Sequence, residues 1–217
     1  MKVALIGATG FVGKHLLTEL LNRNHQVTAI VRDPKKVTTQ HKHLAVLEGD
    51  VFNEAAFAAQ LAGHDAVISA YNPGWANPNI YDDSIAGFIA IQAATKKAGV
   101  QRFISIGGAG SLYVAPGVQL VDTEHFPKEY YAGASAARDY LNILKEEKNL
   151  DWTFVSPAIE MHPGTAGIRR GTYRTALENP VFDENGRSIL SVEDLAVAIT
   201  DELENPKYIQ QRFTAAY

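Results

Sequence analysis

Three glycines at three-residue spacing, in Gly7-Ala8-Thr9-Gly10-Phe11-Val12-Gly13, join two different patterns. Before them stands the strand-like run Lys2 to Ile6. After them an apolar stripe of Phe11, Val12, Leu16, Leu17, Leu20 and Leu21 recurs at helical spacing. A glycine motif alone is weak, because turns use glycine everywhere, but a strand-loop-helix context restricts it strongly. Gly7 suits the tight turn, Gly10 a backbone that must approach an anion without a Cβ, and Gly13 a close helix-to-strand contact. An anion then rests on N–H groups at the positive end of the helix dipole. No Lys-Ser/Thr pair closes the motif, which disfavours a nucleoside triphosphate loop.

These residues therefore predict a dinucleotide's pyrophosphate over Gly7, Ala8, Thr9, Gly10, Phe11 and Val12. The second determinant of such a site lies about 20 residues on, where an acid binds ribose hydroxyls and an arginine accommodates an extra phosphate. Here the second strand ends in Val31-Arg32-Asp33-Pro34. A guanidinium at Arg32 matches a phosphate in charge and fork geometry, so NADP is expected over NAD. Asp33 takes the hydroxyl role if the register slips by one. Asp50 and Val51, after the third strand, border the adenine, and Asp50 is also a candidate cap for a helix starting near Asn53.

Strand candidates at Val3–Ile6, Gln26–Val31, Leu44–Leu47, Ala66–Ser69, Arg102–Ile106 and Thr153–Val155 alternate with helical segments. That alternation predicts an α/β fold, a doubly wound parallel sheet of Rossmann type. Ala137, Tyr140, Leu141 and Leu144 mark one later helix. Ser191-Val192-Glu193-Asp194 opens another as a capping box. Three Gly-, Pro- or Asn-rich stretches, 71–79, 107–127 and 157–186, each follow a strand and are expected to ring the site. The 217 residues read as one domain, with a small substrate-side region at about 157–190.

Composition removes several alternatives. The net charge of −4 offers no broad cationic field for nucleic acid, and the absence of cysteine removes disulfides, zinc-thiolate sites and thiol nucleophiles. No stretch spans a bilayer, and the first strand begins too near Met1 for an export signal, so a cytoplasmic protein without membrane or nucleic-acid partners is expected. No metal-ligand spacing is present. The sequence leaves the oligomeric state open.

The loop together with Val31-Arg32-Asp33-Pro34, Gly49-Asp50-Val51, Ile68-Ser69-Ala70, Asp151 to Ala158 and Ser191 to Ala196 resembles the atypical short-chain dehydrogenases/reductases. Within them it is most similar to the bacterial NAD(P)H-flavin reductase group, related to biliverdin-IXβ/flavin reductase and to NmrA-like proteins. The resemblance runs over nearly the whole chain and implies cofactor contacts at Ala70, Tyr71, Asn72, Gly107 and Pro157. Three departures matter. No tyrosine has lysine four residues later, and Tyr131, in about the right region, has Ser135 there. The serine or threonine usual at the end of the fifth strand is replaced by Gly107-Gly108, which is expected to let a flat ring approach and leaves Ser111 as the nearest hydroxyl. In place of the larger carboxyl-terminal domain of sugar-nucleotide epimerases, only a small lid built from residues after Pro157 is expected.

Hydride transfer to a flavin belongs to the cofactors and needs no tyrosinate. The leading expectation is thus NADPH-dependent reduction of a flavin or similar flat acceptor, the flavin being a substrate. Trp75 and Ser111 are the substrate-binding candidates, and Ser111 and Tyr131 the candidate catalytic residues. Tyr71 and Trp75 offer aromatic faces. The alternatives are a non-enzymatic NADP(H)-binding sensor of NmrA-like type and an epimerase or dehydratase. Among the remaining signals, His41-Lys42-His43 reads as a solvated turn and Gly133-Ala134-Ser135 as no hydrolase elbow. Glu160 with His162 is a candidate acid/base pair, and Arg169, Arg170 and Arg174 a candidate phosphate cluster or a surface charge run.

Overall fold

Val3, Ala4, Leu5 and Ile6 are all buried, the condition of a parallel strand covered on both faces. In the computed structural model, which describes residues 1–217, they form β1 (Lys2–Ile6) in the interior of an eight-stranded sheet. The chain continues through α1 (Phe11–Asn22), β2 (Gln26–Val31), β3 (Leu44–Glu48), α2 (Glu54–Leu61), β4 (Ala66–Ser69), α3 (Ile80–Lys97) and β5 (Arg102–Ile106). It then makes a small hairpin of β6 (Tyr113–Ala115) and β7 (Val118–Gln119), followed by α4 (Lys128–Lys145), β8 (Asp151–Ser156), β9 (Arg174–Ala176), α5 (Val192–Glu204) and β10 (Gln211–Ala216).

The sheet order is β3-β2-β1-β4-β5-β8-β10-β9, parallel throughout except for the antiparallel edge pair β9 and β10. Strand order reverses at β1, which pairs with β2 on one side and β4 on the other. Register aligns the carboxyl ends: Ile6 lies beside Ile30 and Ser69, Ser69 beside Ser105, and Ile106 beside Val155. The loops after β1, β2, β4, β5 and β8 therefore share one rim, at the switch point where open α/β sheets bind ligands.

Helix α1 buries Leu16, Leu17, Leu20 and Leu21 against one sheet face, while Lys14 and Thr18 stay outside. Burying each such leucine contributes roughly 1.5–3 kcal/mol. Helix α5 joins α1 on this face through Leu195, Ile199 and Leu203. The opposite face holds α2, α3 and α4, with Phe57, Phe88, Tyr140, Leu141 and Leu144 packed against Val67, Phe103 and Phe154. No helix is long and apolar enough to cross a membrane.

The doubly wound sheet agrees with the sequence reading, with two corrections. Six strands were expected and eight stand in the sheet, because β9 and β10 lack a β-branched run; β10 reads Gln-Arg-Phe-Thr-Ala-Ala yet is buried from Arg212 to Ala216. Helix α2 is capped by Asn53, whose side chain accepts from the Ala56 N–H. Asp50 instead accepts from the Phe52 N–H within its own turn, one step too early to serve the helix.

Candidate functional site

The glycine loop is built by close contacts. Gly7 adopts φ +80°, and a Cβ there would lie 2.4 Å from the Ala70 carbonyl oxygen, so the loop touches the end of β4 and floors the crevice. A Cβ on Gly13 would stand 2.0 Å from the Gly7 carbonyl oxygen, which is what lets α1 start against the strand end. The Gly10 N–H closes the turn onto that same oxygen at 2.9 Å. Gly10 itself is exposed, and no side chain caps α1, which begins with Gly10 as its N-cap. The N–H groups of the first turn have no intrahelical acceptor. A bare, positively polarised helix end behind a glycine is a cradle a Cβ would crowd, and it fits a pyrophosphate.

Arg32 follows β2 on the same rim and is exposed. It has no side-chain hydrogen bond or ion pair, whereas each of the other eight arginines has one or, for Arg170, lies over the Tyr217 ring at 3.9 Å. Asp33 is turned away into its own 3-10 turn, accepting from the Lys35 N–H at 3.1 Å. Asp50 and the nearly buried Val51 lie across from Arg32 after β3. Burial pushes the Tyr71 phenol up, while the positive charge of Arg32 opposes the shift and the charges of Asp83 and Asp50 add to it. The structure thus brings Arg32, Asp50 and Tyr71 into one electrostatic neighbourhood beside the glycine loop.

The remaining expected residues divide. Ala70 is held by its N–H to the Ile6 carbonyl at 2.9 Å, and Asn72 accepts from the Gly74 N–H at 2.7 Å. The Tyr71 ring lies on Gly87, where a Cβ would approach it to 2.2 Å, and its hydroxyl donates to the Asp83 carbonyl. Trp75 lies over Gly133 of α4 and meets Tyr130 edge to face at 5.2 Å, yet remains 55% exposed. Pro157 is buried directly after β8.

Other expectations are corrected. A Cβ on Gly107 would fall 1.9 Å from the Phe154 ring, so this glycine is required by core packing, whereas one on Gly108 would meet nothing nearer than 3.9 Å. Ser111, expected to face an acceptor, is 1% exposed. Its hydroxyl accepts from Arg212 Nη1 at 3.0 Å and lies 3.4 Å from the Gly108 carbonyl and 3.5 Å from Ser156 Oγ, a network satisfied inside the protein. Tyr131 stands on the first turn of α4, 49% exposed and without a hydrogen-bond partner, and Ser135 one turn on is buried. Glu160 and His162 do not pair: Arg187 binds Glu160 and holds its carboxyl below the usual range, and His162 accepts from the Gly164 N–H. The arginine cluster disperses as well. Arg169 binds Glu19, Arg170 covers Tyr217, and Arg174 donates to the Phe182 and Tyr217 carbonyls.

Sequence reasoning missed Arg212 and Glu178. Arg212, on β10, carries a fully buried side chain that ion-pairs with Glu178 and donates to both the carbonyl and hydroxyl oxygens of Ser111. Nothing local in the sequence signals an arginine serving a loop 101 residues away.

A sequence profile of the NAD(P)H-binding family matches residues 7–206. An uncharacterized protein of Bacillus subtilis, YwnB, is 38% identical over 216 residues, covering 99% of this chain and 97% of its own. A Bacteroides thetaiotaomicron protein provisionally designated an epimerase has a structure of TM-score 0.92 at 46% identity, covering 100% of this chain and 96% of the other. A Streptococcus pneumoniae protein provisionally designated an NADH-flavin reductase matches with TM-score 0.84 at 35% identity, covering 100% and 99%. The crevice, the bare helix end and the whole-length match agree, and the chain belongs to the NAD(P)H-binding family of oxidoreductase- and epimerase-like Rossmann proteins.

Proposed function

We propose that this protein is an NADPH-dependent reductase that passes hydride to a flavin, or to a similar flat conjugated acceptor, bound as a substrate. The observation that carries the reading is the lack of a side-chain proton relay on the rim: Ser111 is sealed inside, and Tyr131 has a buried serine where a lysine would stand. An acceptor whose last proton comes from water suits such a site. The bound nicotinamide supplies the hydride.

The chain's own tasks are to bind and to orient. Gly7 to Val12 and the start of α1 hold the pyrophosphate, and Arg32, free of protein partners, binds the phosphate that distinguishes NADP from NAD. Asp50 and Val51 border the adenine. Ala70 to Asn72 and Pro157 flank the nicotinamide end. Trp75, half exposed beside Tyr130, offers the acceptor an aromatic face. Orientation alone contributes several kcal/mol, about 7 at the low end for ideal systems. The name of the Streptococcus relative points to the same acceptor class, a flavin, with NADH as its named donor.

The test is loss of nicotinamide absorbance with flavin mononucleotide, riboflavin and a quinone as acceptors, with NADPH and NADH run in parallel. Acceptor-dependent turnover preferring NADPH is expected. Tight NADPH binding without oxidation by any acceptor would replace the reductase with an NADP(H)-binding regulator. Turnover of a nucleotide sugar without net cofactor consumption would favour the epimerase reading that the Bacteroides relative's name suggests.

A further inference from the structure

A guanidinium with no exposed side-chain surface is an expensive thing to bury, and a well-packed apolar group often serves stability as well or better. Arg212 is such a group, and its partners lie on two different segments. From β10, Nη2 pairs with the Glu178 carboxylate just beyond β9. Nη1 donates to the Ser111 carbonyl and to Ser111 Oγ, each at 3.0 Å. Glu178 and its neighbour tie the same two segments again: the Tyr113 N–H donates to the Glu178 carbonyl at 2.9 Å, and the Asn179 side-chain amide Nδ2 to the Tyr113 carbonyl at 2.8 Å. Gln119 Nε2 also donates to the Ser111 carbonyl at 2.9 Å.

The stretch held this way follows β5 directly. Gly107 is fixed by its N–H to the Val155 carbonyl, Ala109–Ser111 makes a single 3-10 turn with Gly110 buried against Ala134 of α4 and Val121, and the hydrogen bonds of Arg212 hold the far end of that turn. Ser111 Oγ accepts from Arg212, so its own proton turns inward, toward the Gly108 carbonyl or Ser156 Oγ. Charge and loop geometry thus meet at one residue.

We propose that Arg212, braced by Glu178, is a positioning residue: through Ser111 it fixes the Gly107–Ser111 loop on the rim so that an acceptor ring is held at hydride-transfer distance. This rests on the reductase reading. Arg212 touches neither cofactor nor acceptor. Its removal acts on turnover with the acceptor and leaves NADPH binding at the glycine loop alone, because a misplacement on the scale of an ångström costs up to about a hundredfold in rate.

The test compares wild type with Arg212→Lys, which keeps the charge but loses the two-pronged reach, and with Glu178→Gln, which weakens the brace alone. Both variants are expected to bind NADPH within about twofold of wild type, to lose about tenfold or more in kcat, and to show a larger isotope effect with NADPH deuterated at the transferred position. Hydrogen exchange gives a second readout that needs no activity: the amides of Leu112 and Tyr113, bonded to the Ala109 and Glu178 carbonyls, exchange about tenfold faster or more in the variants, while that of Gly10, bonded to the Gly7 carbonyl, does not change. Wild-type kcat in a folded Arg212→Lys protein overturns the proposal. So do equal losses of NADPH affinity and turnover, or unchanged exchange at Leu112 and Tyr113. If wild type reduces no acceptor, the reductase reading fails by itself, and selective exchange at Leu112 and Tyr113 still decides whether Arg212 fixes the loop.

Discussion

Arg32 and Gly13 serve the same crevice in opposite ways, one by what it offers and the other by what it leaves out. On the proposed NADPH assignment, the unpaired Arg32 guanidinium would gain charge-assisted hydrogen bonds from the extra phosphate, which NADH lacks. Hydrogen bonds to charged groups contribute about 1.5–3 kcal/mol, and each 1.4 kcal/mol is about tenfold in affinity. Arg32→Ala is therefore expected to weaken NADPH binding by roughly 10- to 100-fold and to leave NADH within about twofold, as read by parallel titrations. Equal losses would remove the phosphate assignment. Gly13→Ala acts through space: its methyl would stand 2.0 Å from the Gly7 oxygen, so α1 must withdraw from the strand end. Loss of binding to both cofactors with a lowered Tm is the expected result, and wild-type binding would show that the contact is slack. Gly13 was legible in the sequence because the loop's contacts are local to seven residues, and Arg32 because it directly follows the clear strand pattern of β2. Ser111 was not, because its orientation is decided by Arg212 on a distant strand, and Gly107 was read as open only because the Phe154 ring over it belongs to β8.

At the level of elements, periodicity succeeded where one face or both faces gave a clear apolar signal. β1, β2, β4 and β5 carry compact β-branched runs, and α4 shows its stripe at Ala137, Tyr140, Leu141 and Leu144. β10 escaped because its burial is achieved by small alanines and by a neutralised arginine, neither of which resembles a strand core. β9 is three residues on an edge and carries no pattern at all. The start of α5 was readable, but only half of the expected capping box forms, because the Ser191 N–H donates to the Tyr217 hydroxyl oxygen instead of the Asp194 side chain. Ser191 Oγ accepts from the Asp194 N–H at 3.1 Å and lies 2.9 Å from the Tyr217 oxygen, whose single proton goes to the Asp194 carboxylate, which also takes the N–H groups of Arg170 and Gly171. Ser191→Ala is expected to cost about 1–2 kcal/mol, the upper part of the range for a lost cap, since a buried partner is left unsatisfied as well. Urea unfolding measures this. A change within about 0.5 kcal/mol, the scale of an ordinary surface substitution, would mean that water or Asp194 replaces the cap.

Across the whole molecule, the layer formed by α1 and α5 is joined at one end by charge. Arg23 binds Glu19, Asp201 and Glu204, and Arg169, from the long stretch after β8, reaches over to Glu19 with both Nε and Nη2. The segment beyond the site is thereby tied to the helix that opens at the glycine loop. Arg169 lowers the Glu19 carboxyl below its ordinary 4.5 by hydrogen bonding, burial opposes it, and Arg23 adds to the lowering. A carboxyl depressed in the folded state stabilises fully above its unfolded value and loses that contribution as pH falls through the folded value. Arg169→Ala removes the largest lowering cause and leaves Arg23. Because Arg169 is 52% exposed, the loss is set at about 1 kcal/mol near neutral pH, the upper end for a solvent-screened pair. The difference between wild type and variant is expected to hold from neutral pH down to about the ordinary carboxyl value and to shrink as pH falls below 4.5, where Glu19 takes up its proton. Added salt should narrow it as well. Urea midpoints measured across that range check the argument: a difference that persists undiminished in acid would show that Arg169 stabilises by packing its stem on α1, with the Glu19 charge playing no part.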